Sequence, residues 1–85
     1  MEKAFRWNAL KSERLKKTRG ASFEEIIGSE FLGAKEHPKR EGQLLLFFDF
    51  KGYVWVVPCV ESDDCIFLKT AYPSRKYRKS FGKGG

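Results

Sequence analysis

Three stretches in the second half of the chain are rich in β-favouring residues and predict a sheet. They cover residues 43–51, 53–60 and 65–72, and the last two are separated by the acidic segment 61–64. Valine, isoleucine and the aromatic residues favour strands, and a two-residue loop containing glycine suits a tight hairpin. The pattern therefore predicts three antiparallel strands, with the first hairpin at Lys51-Gly52.

The predicted loops also assign each side chain to a face of the sheet, because successive strand residues point to opposite faces. A two-residue loop at Lys51-Gly52 places Phe48 opposite Trp55, and closure of the second loop at residues 61–64 places Val57 opposite Leu68. The strand side chains are thus divided between a first face without formal charge and a second face, which is still largely apolar but carries Asp49 and Lys69. The uncharged face then comprises Leu44, Leu46, Phe48, Phe50, Tyr53, Trp55, Val57, Ile66, Leu68, Thr70 and Tyr72.

These assignments carry three structural expectations. The helices should pack on the uncharged face, while a second apolar face on so small a sheet suggests partial covering by a partner. Pro58 lacks a backbone donor, so strand pairing on one side should fail or bulge there. Cys59 and Cys65 fall on opposite faces, which excludes a disulfide between them.

The first half of the chain carries helix signals. Asn8 is a favourable N-cap for a helix over residues 9–17, and Gly20 can end it. Ser22 and Glu25 form a capping-box pattern for a second helix over residues 23–31. The apolar side chains of that helix should be buried, and the polar stretch 33–42, with the single histidine His37, should be a loop. The apolar side chains concerned are Phe23, Ile26, Ile27 and Phe31.

The charge is concentrated at one end. The net charge is +6, and residues 65–85 contain six Lys or Arg and no Asp or Glu, so the preceding 64 residues are formally neutral. A basic C-terminal tail of this kind favours an anionic partner, of which nucleic acid is the commonest. The alternative interpretation is a solvated tail that only maintains solubility.

Composition excludes several classes of protein. No apolar run approaches the roughly 20 residues of a membrane span, and the N-terminus lacks the apolar stretch of a signal peptide. Two cysteines and one histidine make a poor zinc site and no disulfide framework. We expect a cytoplasmic protein with reduced thiols, no metal and no cofactor. Residues 1–79 should form one domain, with 80–85 as a flexible tail.

Two short motifs resemble the opening of the BrnT-type toxins, bacterial ribonucleases with a RelE-like fold that are encoded beside an antitoxin. The motifs are Phe5-x-Trp7-Asn8-x-x-Lys11 and Arg19-Gly20-Ala21-Ser22-Phe23-Glu24-Glu25. The resemblance implies an α+β fold, with two N-terminal helices on one face of a small antiparallel sheet and a basic C-terminal tail. It also implies a metal-independent endoribonuclease that cleaves mRNA, inhibits translation and is neutralised by an antitoxin protein.

RNA cleavage by the 2′-hydroxyl needs a base, an acid and cations around the developing phosphorane. The candidate catalytic residues are Lys69, Tyr72 and Arg75, at the end of the last predicted strand and in the tail. Two positions depart from the family pattern: Arg19 replaces a usual histidine, and Tyr72 replaces a usual arginine. The candidates for nucleic-acid binding are Arg19, Lys76, Tyr77, Arg78 and Lys79.

Two other functions are compatible with the same residues. One is a non-catalytic RNA- or DNA-binding module, in which the basic tail contacts phosphates and a tyrosine stacks on a base. The other is an inactive toxin-like protein that serves only in protein interactions. Toxicity on expression separates the ribonuclease from both, and salt-dependent binding of nucleic acid separates the two from each other.

Overall fold

The computed structural model describes residues 4–80, with side chains from 4 to 77. It is a small α+β fold with a mixed sheet and three described helices. Of the predicted flexible tail at 80–85, residues 81–85 lie outside the described part, and Ser80 ends a helix. In chain order the elements are β1 (Ala4–Arg6), α1 (Ala9–Arg19), α2 (Phe23–Ile27), β2 (Glu30–Glu36), β3 (Gln43–Phe50), β4 (Tyr53–Glu61), β5 (Cys65–Leu68), β6 (Tyr72–Pro73) and α3 (Arg75–Ser80).

The sheet is larger than predicted, and it is not purely antiparallel. Its strand order is β1-β5-β4-β3-β2, with β6 paired to β4 beyond the end of β5. Strand β1 runs parallel to β5, whereas the other pairs are antiparallel. A hairpin forces neighbouring strands to be antiparallel. Because β1 and β5 are separated by most of the chain, no hairpin sets their relative direction.

The hairpin between β3 and β4 is the one predicted from Lys51-Gly52. Both loop residues have positive φ, 54° at Lys51 and 81° at Gly52, as a type I′ turn requires. Its twist matches that of the flanking strands, so pairing begins immediately at Phe50 and Tyr53. Phe48 lies opposite Trp55 as expected. This part of the predicted register is confirmed.

The prediction for residues 28–36 is wrong. Helix α2 ends at Ile27, and β2 occupies much of the predicted helix end and loop. Phe31, expected in the core, is 56% exposed and contacts Phe48 with ring centroids 5.5 Å apart. Pairing with β3 overrides the helical pattern, and the register shifts by one residue between Phe31 and Gly33. Gly33 has φ 153°, a conformation that residues with side chains rarely adopt.

The predicted register of β5 is also wrong, with a consequence for the candidate site. Leu68 pairs with Cys59 instead of Val57. Leu68 and Tyr72 are four positions apart in the sequence, whereas their partners on β4, Cys59 and Val56, are three positions apart. One extra residue reverses the facing of all that follow, so Tyr72 lies on the second face. The interruption lies beside Pro58, where a pairing failure was expected.

The first face of the sheet is joined to the helices by one hydrophobic cluster. Phe23 and Ile26 of α2 are fully buried in it, as predicted. Helix α1 contributes Leu15 to this cluster, and it also buries the polar residue Ser12. The first-face cluster consists of Leu15, Ala21, Phe23, Ile26, Leu46, Phe48, Trp55, Val57, Cys59, Leu68 and Ala71.

Hydrogen bonds at the helix ends fix this arrangement. Asn8 accepts a bond from the Lys11 amide, and Ser22 forms the predicted capping box. The Ser12 hydroxyl donates to Glu24 Oε1 at 2.5 Å and accepts from the Phe23 amide at 3.0 Å. The bond from Ser12 also holds the pKa of Glu24 below its usual value, because it stabilises the carboxylate. Ser12 therefore links α1 to the first turn of α2.

The second face is covered by the C-terminal segment, which was predicted to be a basic tail. Tyr77 of α3 packs on Phe47 with ring centroids 4.7 Å apart, and Lys35 Nζ lies 4.6 Å from the Tyr77 ring centroid. Leu32 and Tyr72 pack against the same cluster. The second-face cluster consists of buried Leu45, Phe47, Val54 and Val56. The covering expected from a partner is thus supplied in part by the chain itself.

Candidate functional site

A cleft of about 420 Å³ lies where α1, the start of β4 and the β6–α3 connection meet. Two arginines from distant parts of the sequence, Arg19 and Arg75, line it. Both are exposed, and the described residues that line the cleft include no carboxylate and no imidazole. Two guanidinium groups without a lining acid make a site suited to an anion. The described lining residues are Arg19, Tyr53, Trp55, Pro73, Ser74 and Arg75.

Backbone contacts hold the two arginines at this place. The Arg19 guanidinium donates to the Ala71 carbonyl at 2.6 Å, which anchors the end of α1 beside the chain entering β6. Two residues later the strand pairs with β4 through Trp55 and Pro73. The Ser74 amide then donates to the Val54 carbonyl at 2.8 Å, so α3 begins next to the first residues of β4. The described residues make no hydrogen bond to the Arg75 guanidinium, which remains available to a ligand.

The structure brings together Arg75, a predicted catalytic residue, and Arg19, a predicted binding residue. Lys69 is exposed in the segment between β5 and β6, and its amide donates to the Pro58 carbonyl at 2.9 Å. It does not line the cleft, but it lies two residues before Ala71, to which Arg19 is bound. It is the nearest further cation along that segment.

The predicted tyrosines lie elsewhere. Tyr72 pairs with Val56 and, like Tyr77, packs half-buried against the second-face cluster. The one-residue interruption before β6 is the reason, since it turns Tyr72 away from the face of Trp55. Lys76 is exposed, with Nζ 5.5 Å from the Tyr77 ring centroid. The backbone places Arg78 and Lys79 in α3, but their side chains lie outside the described residues.

Two other lining residues, Tyr53 and Trp55, were predicted to lie on the uncharged face of the sheet. Tyr53 is 51% exposed at the first position of β4 and lines the cleft. Trp55 is buried beneath it on the same face, and its Nε1 donor has no hydrogen-bond partner among the described residues. The sequence signal that could have indicated the exposure of Tyr53 is its position directly after the hairpin loop, because strand residues beside a loop are covered less than those in the middle of a strand.

The single histidine lies in another cavity. His37 lines a cavity of about 460 Å³ whose other lining residues carry charges of both signs, including Glu36, Arg40 and Glu61. Its Nδ1 accepts a hydrogen bond from the Lys39 amide at 3.0 Å. The volumes of the two cavities are similar, so it is the charge of the lining that distinguishes the arginine cleft.

Two kinds of feature are absent from the described residues. No group of three or more His, Cys, Asp or Glu is placed to hold a metal ion. No helix in the described part of the chain has the length and apolar character needed to cross a membrane.

A comparison with solved structures identifies the architecture. The 1.1 Å crystal structure of BrnT, a ribonuclease toxin from Brucella abortus, matches 86% of this chain and 97% of its own with a TM-score of 0.66. This chain has a BrnT-type fold. It is 17% identical to BrnT, so the likeness concerns the fold. No protein-family model and no curated protein matches the sequence.

Proposed function

We propose that this protein is the toxin of a toxin–antitoxin pair, a metal-independent endoribonuclease that cleaves mRNA and inhibits translation. The fold is that of a structure described as a ribonuclease toxin. The observation that carries the proposal is the placement of Arg19 and Arg75 in one cleft whose described lining residues include no acid. This proposal includes a RelE-like arrangement with two helices on one sheet face, a cytoplasmic location and a neighbouring gene for an antitoxin protein.

The cleft suits the electrostatic part of RNA cleavage. The 2′-hydroxyl loses its proton and attacks the adjacent phosphorus, which produces a phosphorane with additional negative charge on its non-bridging oxygens. The phosphorane then collapses by breaking the bond to the 5′-oxygen, which takes up a proton. In this proposal the Arg75 guanidinium binds those oxygens. Arg19, already oriented by the Ala71 carbonyl, holds the neighbouring phosphate. Lys69 supplies a further positive charge at the edge of the site, and Tyr72 supports the backbone that carries Arg75.

Induction of the gene in a bacterial host tests this proposal. Wild-type protein should arrest growth, and the purified protein should cleave single-stranded RNA in the presence of EDTA. Arg75→Ala should lower the cleavage rate by about a hundredfold or more, as loss of a group that stabilises a transition-state charge does. Arg40→Ala, an exposed arginine in the other cavity, is the matched control and should behave as wild type.

Point variants are cleaner than removal of the C-terminal segment. Truncation after Ser74 would also remove Tyr77, which packs on Phe47, so lost activity could reflect lost folding. Equal arrest by wild type, Arg75→Ala and Arg40→Ala would contradict the assigned site. Absence of both arrest and RNA cleavage in the wild type would contradict the ribonuclease proposal itself.

A second function is favoured by one feature of the same cleft. General acid–base catalysis needs a group that exchanges protons readily near neutral pH, and arginine is a permanent cation. The described lining residues contain no carboxylate or imidazole for this role. A non-catalytic RNA-binding protein would need only the arginines and an aromatic surface. Salt-dependent RNA binding without cleavage is the result that distinguishes this alternative.

A further inference from the structure

The exposed Tyr53 side chain lines the same cleft as the two arginines. It is 51% exposed, whereas Trp55, two residues along the same face, is buried in the first-face cluster. A large aromatic surface held on a strand can bind a ligand at low entropic cost. Its place in the cleft of Arg19 and Arg75 sets an aromatic surface beside two cations.

An aromatic ring beside paired guanidinium groups matches the two parts of a nucleotide. The base offers a π-face that stacks on an aromatic side chain, and the phosphate offers oxygens to arginine. A base in a duplex is already stacked and paired, so only an unpaired base can use such a ring. The hairpin holds Tyr53 firmly, since its register partner Phe50 directly precedes the type I′ loop.

We propose that Tyr53 is the base-stacking residue of this cleft, and that the cleft binds one nucleotide of single-stranded RNA. The base lies on the Tyr53 ring, and the two phosphates that flank it are bound by Arg75 and Arg19. This assignment rests on the proposed RNA-directed function, but it concerns binding and does not require that the RNA be cleaved. Stacking on Tyr53 is then the reason why the protein binds single strands more tightly than duplexes.

A 2′-O-methyl RNA octamer is the appropriate probe, because its blocked 2′-hydroxyl prevents the proposed cleavage. Binding can be followed through the emission of Trp55, which lines the cleft, in a Trp7→Phe background that removes the other tryptophan. We expect the octamer to quench this emission. The octamer annealed to its complement should bind more weakly than the single strand.

Variants of Tyr53 distinguish base stacking on its ring from non-specific electrostatic attraction of the RNA. Tyr53→Ala should weaken octamer binding roughly 5- to 150-fold, the ratio that corresponds to about 1–3 kcal/mol per stacked base. Tyr53→Phe should retain most of the affinity, because the ring is kept. Phe67→Ala removes an exposed aromatic residue from another part of the sheet and should leave binding unchanged.

The outcomes are separable from those of the proposed function. Octamer binding that Tyr53→Ala weakens by the expected factor supports the stacking role even if native RNA is never cleaved. Unchanged affinity in a folded Tyr53→Ala protein overturns it, even where native RNA is cleaved normally. Equal affinity for the single strand and the duplex, or no binding of the octamer by a Trp7→Phe protein shown to be folded, also overturns it.

Discussion

The two faces of the sheet are closed in different ways. In the described part of the chain, eleven buried residues form the first-face cluster and four form the second-face cluster. The first face is joined to two capped helices near the N-terminus, whereas the described side chains of α3 contribute one half-buried ring, Tyr77, to the second. The difference indicates that the first face supplies most of the stability. The second face depends on a short segment at the opposite end of the chain.

The largest expected effect is at Phe23. Phe23→Ala removes a completely buried ring between α2 and the sheet, and we expect it to cost about 3–5 kcal/mol of unfolding free energy. Urea denaturation measures the change. Leu10→Ala, which shortens a side chain that is 70% exposed on α1, is the control and should change stability little. A loss below 1 kcal/mol at Phe23 would contradict the importance assigned to the first face.

Ser12 should have the next largest effect. Ser12→Ala leaves the Phe23 amide without its hydrogen-bond acceptor, and a buried unsatisfied donor costs about 1–3 kcal/mol. Because the pKa of Glu24 is held below its usual value of 4.5, the corresponding stability is present above that pH and is lost as the pH falls through the folded-state pKa. Thermal unfolding at pH 7 and at low pH measures both parts.

The variant Glu24→Gln separates the two contributions of Ser12. It should remove the acid-dependent part and leave the Phe23 amide bonded to the Ser12 hydroxyl. A Ser12→Ala protein with wild-type stability at both pH values would show that this hydroxyl does not hold the helices together.

On the second face, Tyr77→Ala should be milder than Phe23→Ala. The ring is half-buried on Phe47, so we expect a loss of about 1–2 kcal/mol, a part of the ~1.5–3 kcal/mol for complete burial of a large apolar side chain. Tyr77→Phe keeps the ring and should stay close to wild type. A loss of unfolding free energy as large as that of Phe23→Ala would contradict the inference that the first face supplies most of the stability.

The smallest expected effects concern the two thiols, which the structure shows as free. Cys59 is buried in the first-face cluster, and burial raises its pKa from the ordinary 9.0 to about 11. Cys65 is half-buried at the start of β5. A thiol reagent at pH 8 should therefore modify one cysteine in the native protein and two after denaturation, with mass spectrometry identifying Cys65 as the native site.

The raised pKa of Cys59 also has a pH signature. Its thiol stays neutral in the fold, so its contribution to stability is complete below the unfolded-state pKa near 9 and is lost as the pH rises toward 11. Cys59→Ala should lose less stability than wild type across this interval. Rapid native labelling of Cys59 at pH 8 would contradict its burial.

The sequence by itself determined the features that depend on neighbouring residues. Asn8 and Ser22 cap their helices because the amides they accept from are three residues away. Lys51-Gly52 closes its hairpin because the positive φ angles of a type I′ turn suit glycine and the strands pair directly across it. Alternation within β3 and β4 then placed Phe48 and Trp55 correctly on the first face.

Only the tertiary structure decided the features that depend on distant segments. Residues 30–36 join the sheet because pairing with β3 outweighs the local pattern, which indicated the end of a helix followed by a polar loop. Tyr72 lies on the face opposite to the predicted one because the segment between β5 and β6 has one residue more than the facing part of β4 near Pro58. The sequence does not specify the length of this irregularity. The contact of Arg19 with Ala71 spans 52 residues. The cleft exists because the packing of the helices and strands brings these two distant segments together. No local sequence signal predicts this contact.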